Sequence, residues 1–398
     1  MPRRSPPRLC LAPTHPRAAP VRALGSAASA LILIAGCDPS LGGGGGKRTP
    51  AGCTEAHGLI TCSSTQSSGG QGLLNLEVDV RAGDTAFLVT GDAGQYLAVE
   101  TLTGPSGELL VHWDDWFGSE NLTAAFYGSG KDVAFNWPVR EEDGALEPGT
   151  YTVAIATFDE DGYYRSGVDV DVTTQIKADG AFSEGVVRVQ LVYADEVAVM
   201  ADVVEATEAA IVRWKEVWAP LGLDVRVTSV NGGIDGNLPS VSRGGPEYDA
   251  LASTGEDYDV MVVIGERIGG RTDIYGEAGG IPGSLVANEH AVVGVSWLAN
   301  AGGDGSFSDD DIRIYGETLA HELGHYLGLF HPVESSWDQW DALDDTDDCG
   351  SLRQCEEALG ENNMFPYPVC NGPRGGCVSQ DVVTDGQAGV LHRYAGTL

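Results

Sequence analysis

The sequence predicts an α+β fold in which an N-terminal antiparallel β-sandwich precedes a mixed sheet with two long helices and a loop-rich C-terminal lobe. Three observations lead to this prediction. Residues 71–176 alternate apolar and polar side chains, as half-buried strands do. From residue 187 onward, strand patterns are interspersed with two long helical patterns. Beyond residue 331, glycine, proline and acidic residues prevail, which indicates loops.

The sandwich is predicted from short alternating runs that are separated by turn signals. Leu74, Leu76, Val78 and Val80 alternate with polar residues, and Gly-Pro-Ser-Gly at 104–107 is one of several turns between such runs. This regular spacing is typical of an antiparallel sandwich. No group with evident chemistry stands in these strands, so we assign residues 71–176 to an accessory domain.

Residues 184–398 are predicted to form a second domain. A strand at 187–193 precedes a helix that carries Trp214 and Trp218 on its apolar face. Further strands are predicted at 224–230, 260–264 and 291–297. We expect the last of these to be the exposed edge of the sheet, where an extended peptide can pair.

The second long helix carries the most informative residues of the chain. His321 and His325 are four residues apart, so both imidazoles lie on one helix face. Glu322 can hold a water there without binding the metal itself. Gly328 allows the helix to end in a left-handed conformation, and the turn returns His331 as a third nitrogen ligand. Three ligands and one open position predict a catalytic zinc site, because structural zinc sites have four protein ligands.

These five positions resemble the pattern of the metzincin zinc metallopeptidases. The resemblance implies a metzincin-like catalytic domain with a twisted mixed sheet, an active-site helix and a loop-rich lower lobe. It also implies hydrolysis of peptide bonds in protein or peptide substrates. His321, His325 and His331 would bind Zn²⁺, and Glu322 would be the general base.

Over residues 187–398 the chain most resembles the pappalysin group of that family. The likeness lies in an acidic segment with cysteines, in the helix start at 384–387, and in Met364 within the run Asn-Asn-Met-Phe-Pro. In metzincins such a methionine turn lies beneath the zinc, and its thioether packs against the histidines without binding the metal.

Two positions differ from the pappalysin pattern. His331 is followed by Pro332, as in the serralysin group. The tyrosine usually found two residues after the methionine is replaced by Pro366, and the next residue is Tyr367. Tyr367 is therefore a candidate oxyanion stabiliser, and a packing role is the alternative.

The net charge is −35, from 58 acidic and 23 basic side chains. Such a surface repels nucleic acid and gains nothing from an anionic membrane. Solubility in an extracellular or salty medium explains the charge, and affinity for cations or basic substrates is the second explanation. Five aspartates at 341–348 form a candidate Ca²⁺ loop, with a solvated turn as the alternative.

The N-terminus is typical of an export signal of the bacterial lipoprotein type. Arginines precede an apolar stretch at 23–34 that is too short to span a bilayer. Ile-Ala-Gly-Cys at 34–37 then predicts removal of residues 1–36 and lipidation of Cys37. Residues 37–70 would be a flexible tether, and the protein would be anchored to the envelope or secreted. An ordinary secretory signal is the alternative.

The remaining cysteines agree with export, because an even number in an exported chain predicts disulfides. Cys53 and Cys62 are expected to form one bridge, with a thiolate that blocks the zinc as the alternative. The other four leave three possible connectivities, and they are Cys349, Cys355, Cys370 and Cys377.

Two other functional classes compete with a peptidase. One is a non-catalytic surface binding protein in which a structural zinc site only maintains the fold. The other is an adhesin-like sandwich with a latent peptidase attached. The presence of Glu322 favours the enzyme, because a structural zinc site does not require a base.

Overall fold

The computed structural model describes residues 52–56, 58–112, 132–140, 143–178, 183–241, 246–252, 259–283, 292–337, 339–370 and 376–395. The predicted export signal at 1–36 and the lipid anchor at Cys37 lie outside the described residues. Within the described part of the chain, no helix is both long enough and apolar enough to cross a membrane.

Two antiparallel sheets, called here the N-terminal sheets, share one hydrophobic core. The five-stranded sheet has the order β1 (Cys53–Ala56), β2 (Leu59–Ser67), β9 (Asp169–Lys177), β4 (Ala86–Ala93) and β7 (Asp132–Trp137). The four-stranded sheet has the order β3 (Leu73–Val80), β8 (Gly149–Phe158), β5 (Tyr96–Thr103) and β6 (Leu109–His112). Phe87 and Val89 of the first sheet join Leu76, Val153 and Ile155 of the second in this core, because every second side chain of a strand points inward.

The prediction that residues 37–70 form a tether is wrong for its second half, because two strands lie there. Strand β2 pairs with β9 along its whole length, and Leu59 and Ile60 are buried. The run Ser-Ser-Thr-Gln-Ser at 63–67 concealed the strand, since its side chains lie largely on exposed surface. The five-stranded sheet also continues through Lys177, one residue beyond the predicted boundary.

A second five-stranded sheet follows, with the order β11 (Leu223–Asn231), β10 (Gly185–Tyr193), β13 (Val260–Gly265), β16 (Val292–Ser296) and β15 (Gly276–Ala278). The first four strands are parallel. A small parallel pair consists of β12 (Asn237–Leu238) and β14 (Arg267–Ile268). The central strand β13 is buried at every residue, as expected for a parallel strand covered on both faces.

The described helices are α1 (Ala201–Trp218), α2 (Pro246–Ala252), α3 (Trp297–Asn300), α4 (Asp309–Tyr326), α5 (Leu352–Leu359) and α6 (Asp385–Tyr394). The start of α4 is fixed by a capping box, in which Ser308 and Asp311 each accept a hydrogen bond from the other's backbone N–H. Helix α1 packs against α4, and Arg213 of α1 forms a 2.8 Å ion pair with the buried Glu317 of α4. The direction of the histidine-bearing helix is therefore fixed from its first turn.

Strand β16 was expected to be the edge of the second sheet, and that prediction is wrong. In the described chain it lies between β13 and the short strand β15, which runs antiparallel to it. Strand β15 is only three residues long, with the sequence Gly-Glu-Ala, and these residues have low strand propensity. The sequence therefore contains little signal for the strand that forms the edge.

The N-terminal sheets pack against α6, and a buried lysine fixes the contact. The Nζ atom of Lys177 donates to the carbonyl oxygen of His392 and, at 3.1 Å, to that of Ala395. Lys177 is only 2% exposed. Because the last carbonyls of a helix carry partial negative charge and lack helical partners, the ammonium group satisfies them. The hydroxyl of Tyr394 adds a 2.9 Å hydrogen bond to the carbonyl of Pro138.

Three disulfides stabilise the described residues. Cys53 and Cys62 are opposite one another on β1 and β2 and form the predicted bridge. This bridge leaves neither sulfur as a free thiolate, so the alternative of a zinc-blocking cysteine is wrong. The four C-terminal cysteines form two local bridges, Cys349–Cys355 and Cys370–Cys377, which selects one of the three connectivities.

Candidate metal centre

Helix α4 and the turn after it bring three histidines together. His321 and His325 lie on one face of the helix, and their rings are 4.6 Å apart. The chain then reverses at Gly328, whose φ of 104° lies in the left-handed region that favours glycine. A Cβ at this position would also lie 2.6 Å from the side-chain nitrogen of Asn136, so the N-terminal sheets touch the turn. The reversal returns His331 beside the other two rings.

Each histidine has a hydrogen-bond acceptor at Nδ1. His321 donates to the carbonyl oxygen of Asn363 at 2.8 Å, and His325 donates to that of Leu329 at 2.6 Å. His331 faces a carboxylate oxygen of Glu334 at 3.2 Å. Because these acceptors require the proton on Nδ1, the lone pair of each ring lies on Nε2.

The three Nε2 atoms converge on one point. Nε2 of His331 lies 3.1 Å from Nε2 of His325 and 3.3 Å from Nε2 of His321. Three nitrogens bound to tetrahedral zinc at about 2.05 Å are separated by about 3.3 Å. Lone pairs that face each other at such distances repel, and a shared cation removes the repulsion. The donor set therefore fits one Zn²⁺, with the three histidines as its protein ligands.

Burial keeps two of these rings neutral. It lowers the pKa of His321 to about 3, with a further contribution from the neighbouring His331. Burial also lowers the pKa of His325 well below its ordinary value, and the two other histidines act in the same direction. A neutral imidazole is the form that binds a metal.

Glu322 lies in the same helix turn and is 6% exposed. Burial raises its pKa to about 8, and the carboxylate of Glu277 on β15 contributes to the shift. The edge strand passes directly over this carboxyl group, since a Cβ at Gly276 would lie 2.7 Å from Oε1 of Glu322. Gly276 is therefore required for the close approach of the edge strand to the carboxylate.

Met364 lies beneath the helix, in the turn predicted from the sequence. It is fully buried, and a Cβ at Gly324 would lie 2.5 Å from its sulfur. The turn is held by Asn362, whose side-chain oxygen accepts the backbone N–H of Met364 at 2.8 Å. Asn362 also exchanges two hydrogen bonds with Gln387 in the first turn of α6. Helix α6 thus supports the floor of the histidine cluster.

Sequence reasoning missed three groups that orient the histidines. Two of them are the carbonyl oxygens of Leu329 and Asn363, which no side-chain pattern reveals. The side-chain nitrogen of Asn363 donates to the carbonyls of Glu317 and Gln380, so the acceptor for His321 is itself held from both sides. The third is the carboxylate of Glu334. Its position three residues after His331 was the sequence feature that could have indicated a partner for that histidine.

Tyr367 lines the cleft in front of the histidines, but its hydroxyl is already engaged. It donates to a carboxylate oxygen of Glu356 on α5 at 3.1 Å. Burial and then this hydrogen bond raise the pKa of Tyr367 to about 12. Its ring packs edge-on against Phe365 and Trp337. These contacts favour the packing role, because stabilising an oxyanion would require the hydroxyl to leave Glu356.

The acidic segment at 341–348 contains two aspartates with different surroundings. Asp345 accepts hydrogen bonds from the Thr384 hydroxyl and from the backbone N–H of Gly386, so it binds the positive end of α6. Asp341 is buried, and its Oδ1 accepts the hydroxyl of Thr346 at 2.6 Å. Its Oδ2 has no hydrogen-bond partner in the described structure, and burial raises its pKa to about 7.

The histidines lie in a cleft of 970 Å³ with two different walls. One wall comes from β15 and the residues on either side of it, at 273–283. The opposite side includes Thr90, Asp92, Asp171 and Thr173 of the N-terminal sheets. This volume lies near the upper end of the usual range of about 300–1,000 Å³ for small-molecule sites. It has room for a stretch of polypeptide.

No family model matches the chain, and no curated protein matches it. Many solved structures are similar to parts of it, and three of them are described here. Metalloproteinase-II from Bacteroides fragilis is 14% identical, with a TM-score of 0.34, and the match covers 54% of each chain. Archaemetzincin from Methanopyrus kandleri is 23% identical, with a TM-score of 0.23, over 36% of this chain and 75% of its own.

The third is a zinc-dependent peptidase from Methanocorpusculum labreanum, which is 13% identical with a TM-score of 0.26. That match covers 52% of this chain and 95% of the other. The chain spans about half the length of the Bacteroides protein. Likenesses at these TM-scores identify no family, so the functional conclusion rests on the chemistry of the site.

Replacing Glu334 by Gln is expected to weaken zinc binding about tenfold, because the amide no longer provides a carboxylate acceptor for His331. Competition with a chromogenic chelator measures the affinity. Glu357→Gln is the matched control, since this carboxylate lies on α5 with 63% of its side chain exposed. Equal zinc affinities of the two variants would show that Glu334 does not orient the ligand.

Proposed function

We propose that the chain is a zinc-dependent endopeptidase of the metzincin type, most like the pappalysin group, with an accessory N-terminal β-sandwich. One observation carries the proposal. The lone pairs of His321, His325 and His331 converge beside the buried carboxyl group of Glu322, in a cleft large enough for a peptide. A structural site needs neither the carboxyl group nor the cleft.

Bound Zn²⁺ would supply Lewis-acid chemistry by polarising the scissile carbonyl and lowering the pKa of a water. Glu322 takes a proton from the attacking water and passes it to the leaving amine. Its buried position excludes bulk water, and Gly276 leaves it room beneath the edge strand. An extended substrate pairs with β15 and thereby lies across the three histidines.

The competing function is a surface binding protein that holds zinc only to maintain its fold. A casein or gelatin zymogram with and without a zinc chelator separates the two. Cleared bands that disappear with the chelator support the enzyme. A protein that binds zinc with full occupancy and clears neither substrate supports the binding protein.

Replacing Glu322 by Gln is expected to lower kcat by about 10³-fold or more, because the amide cannot accept the proton of the water. Zinc content should stay at that of the native protein, since Glu322 is not a ligand. Peptide hydrolysis and metal analysis on the same sample measure both quantities. Glu357→Gln serves again as the matched control and should keep native turnover. Native turnover in the Glu322→Gln protein would disprove the mechanism.

We also propose that the protein is exported and anchored through Cys37. The support is the lipoprotein-type signal at 1–36 together with three disulfides, which form in oxidising compartments. Mass spectrometry of the N-terminal peptide from the native host checks this. A lipid-modified Cys37 agrees with the proposal, and a mature N-terminus at another residue contradicts it.

We further propose that Asp341 contributes to a Ca²⁺ site. Its Oδ2 is buried without a hydrogen-bond partner in the described chain, and Asp345 and Asp348 lie near enough to raise its pKa. A hard cation with oxygen ligands would compensate this buried carboxylate. Without a cation, the folded state keeps a proton on Asp341 up to a pH of about 7, whereas the ordinary value is 3.8.

The stability contribution of Asp341 is therefore lost as the pH rises from about 4 to about 7, and calcium should restore it. We expect saturating Ca²⁺ to raise the Tm of the native protein by about 5 °C at pH 8 and by much less at pH 5. Asp341→Asn should show no calcium response at either pH. Asp224→Asn, on the exposed surface of β11, is the control and should respond as the native protein does. A full response in Asp341→Asn would remove Asp341 from the site.

A further inference from the structure

The outer face of the five-stranded N-terminal sheet is divided into two halves. Along β4, Phe87 and Val89 point into the core between the sheets, so Ala86, Leu88, Thr90 and Asp92 lie on the opposite face. Ala86 and Leu88 are buried, whereas Thr90 and Asp92 are partly exposed. One end of this face is therefore covered and the other end is open.

Strand β9 shows the same division. Lys177 and Gln175 are buried, Thr173 is partly exposed and Asp171 is exposed, and all four lie on the outer face. The covered end is the one at which Lys177 reaches the carbonyls of α6. Because the ammonium group and both carbonyls would lose their hydrogen bonds if the sheet and α6 separated, this contact stabilises the position of the sheet.

The open end forms part of the cleft that contains the histidines. Thr90, Asp92, Asp171 and Thr173 line that cleft together with Glu322 and His331. In the register of β4 and β9, Thr90 is opposite Thr173 and Asp92 is opposite Asp171. Side chains of such pairs are about 5 Å apart, so the two carboxylates form one polar strip with the two threonines.

Acidic side chains outnumber basic ones in the described lining of the cleft. Among its described lining residues, seven are acidic and none is lysine or arginine: Asp92, Asp171, Asp273, Glu277, Glu317, Glu322 and Glu334. Glu317 and Asp273 form ion pairs with arginines that lie outside the lining, and Asp171 accepts a hydrogen bond from the Thr65 hydroxyl. Asp92 and Asp171 come from the wall opposite β15, and the whole chain adds a net charge of −35. A basic peptide is the complementary partner.

We propose that this open half-face, comprising Thr90, Asp92, Asp171 and Thr173, is a substrate-binding wall that selects extended peptides carrying lysine or arginine. The proposal rests on the proposed peptidase function and deepens it. The wall contacts a part of the substrate that β15 does not reach, so the N-terminal sheets act in specificity. Their carboxylates accept hydrogen bonds from ammonium or guanidinium groups.

The test is a charge reversal on the wall with a matched reversal elsewhere. Asp92→Lys/Asp171→Lys changes the wall, and Glu77→Lys/Asp79→Lys makes the same change on the exposed face of β3, outside the cleft. Both are made in zinc-loaded Glu322→Gln protein. Fluorescence anisotropy measures the Kd of two labelled peptides that differ only in carrying lysines or glutamates. The Kd ratio within each variant cancels differences in the active fraction.

We expect the unreversed protein to prefer the lysine peptide by about tenfold or more, and the wall variant to lose that preference. The β3 control should keep it within about twofold, because a distant charge is screened by salt. Asp92→Asn/Asp171→Asn, which conserves shape, should give an intermediate ratio. An unchanged ratio in the wall variant, or an equal loss in the control, overturns the proposal.

A cleavage experiment then separates this proposal from the proposed function. A proteome-derived peptide library, cut by the proteins with Glu322 intact, should show lysine and arginine enriched near the cut, and the wall variant should lose this enrichment. If no peptide is cut but the Kd ratios behave as expected, the peptidase function fails and the wall stands. If peptides are cut with the same preference by both proteins, the wall fails and the peptidase stands.

Discussion

The histidine cluster depends on where the Nδ1 protons lie. Two backbone carbonyls and one carboxylate hold these protons, so three lone pairs face the same point. Each acceptor comes from a different part of the chain: the turn that contains Met364, the turn after α4, and the segment after His331. The cluster forms only when all three parts are in place, which links the site to the packing of the whole C-terminal region.

Helix α6 connects that requirement to the N-terminal sheets. Gln387 in its first turn holds Asn362 of the methionine turn, and its last carbonyls bind Lys177. Val390 lies in its middle, where a Cβ at Gly328 would approach it to 3.5 Å. One ten-residue helix thus contacts the floor of the histidine cluster, the turn before the third histidine, and the sheet that lines the cleft.

Sequence periodicity predicted the elements whose signals are local. The spacing of His321, His325 and His331 needs only one helix and one turn, and the caps of α4 and α6 are contained within four residues each. The edge strand β15 was not predicted, because its three residues carry no strand pattern of their own. They form a strand only through pairing with β16. Lys177 lies one residue beyond the predicted sandwich, and nothing in the neighbouring sequence indicates that it is buried. Its burial depends on a helix more than 200 residues later, and no local pattern contains that information.

The contact between Lys177 and α6 also has a consequence for the order of events during synthesis. Residues 53–177 leave the ribosome long before residues 385–395, so the carbonyl partners of Lys177 are synthesised near the end. Until α6 arrives, Gln387 cannot hold the turn that positions the acceptor for His321. We therefore expect the histidine cluster to become ordered only after α6 has been synthesised and has packed against the methionine turn.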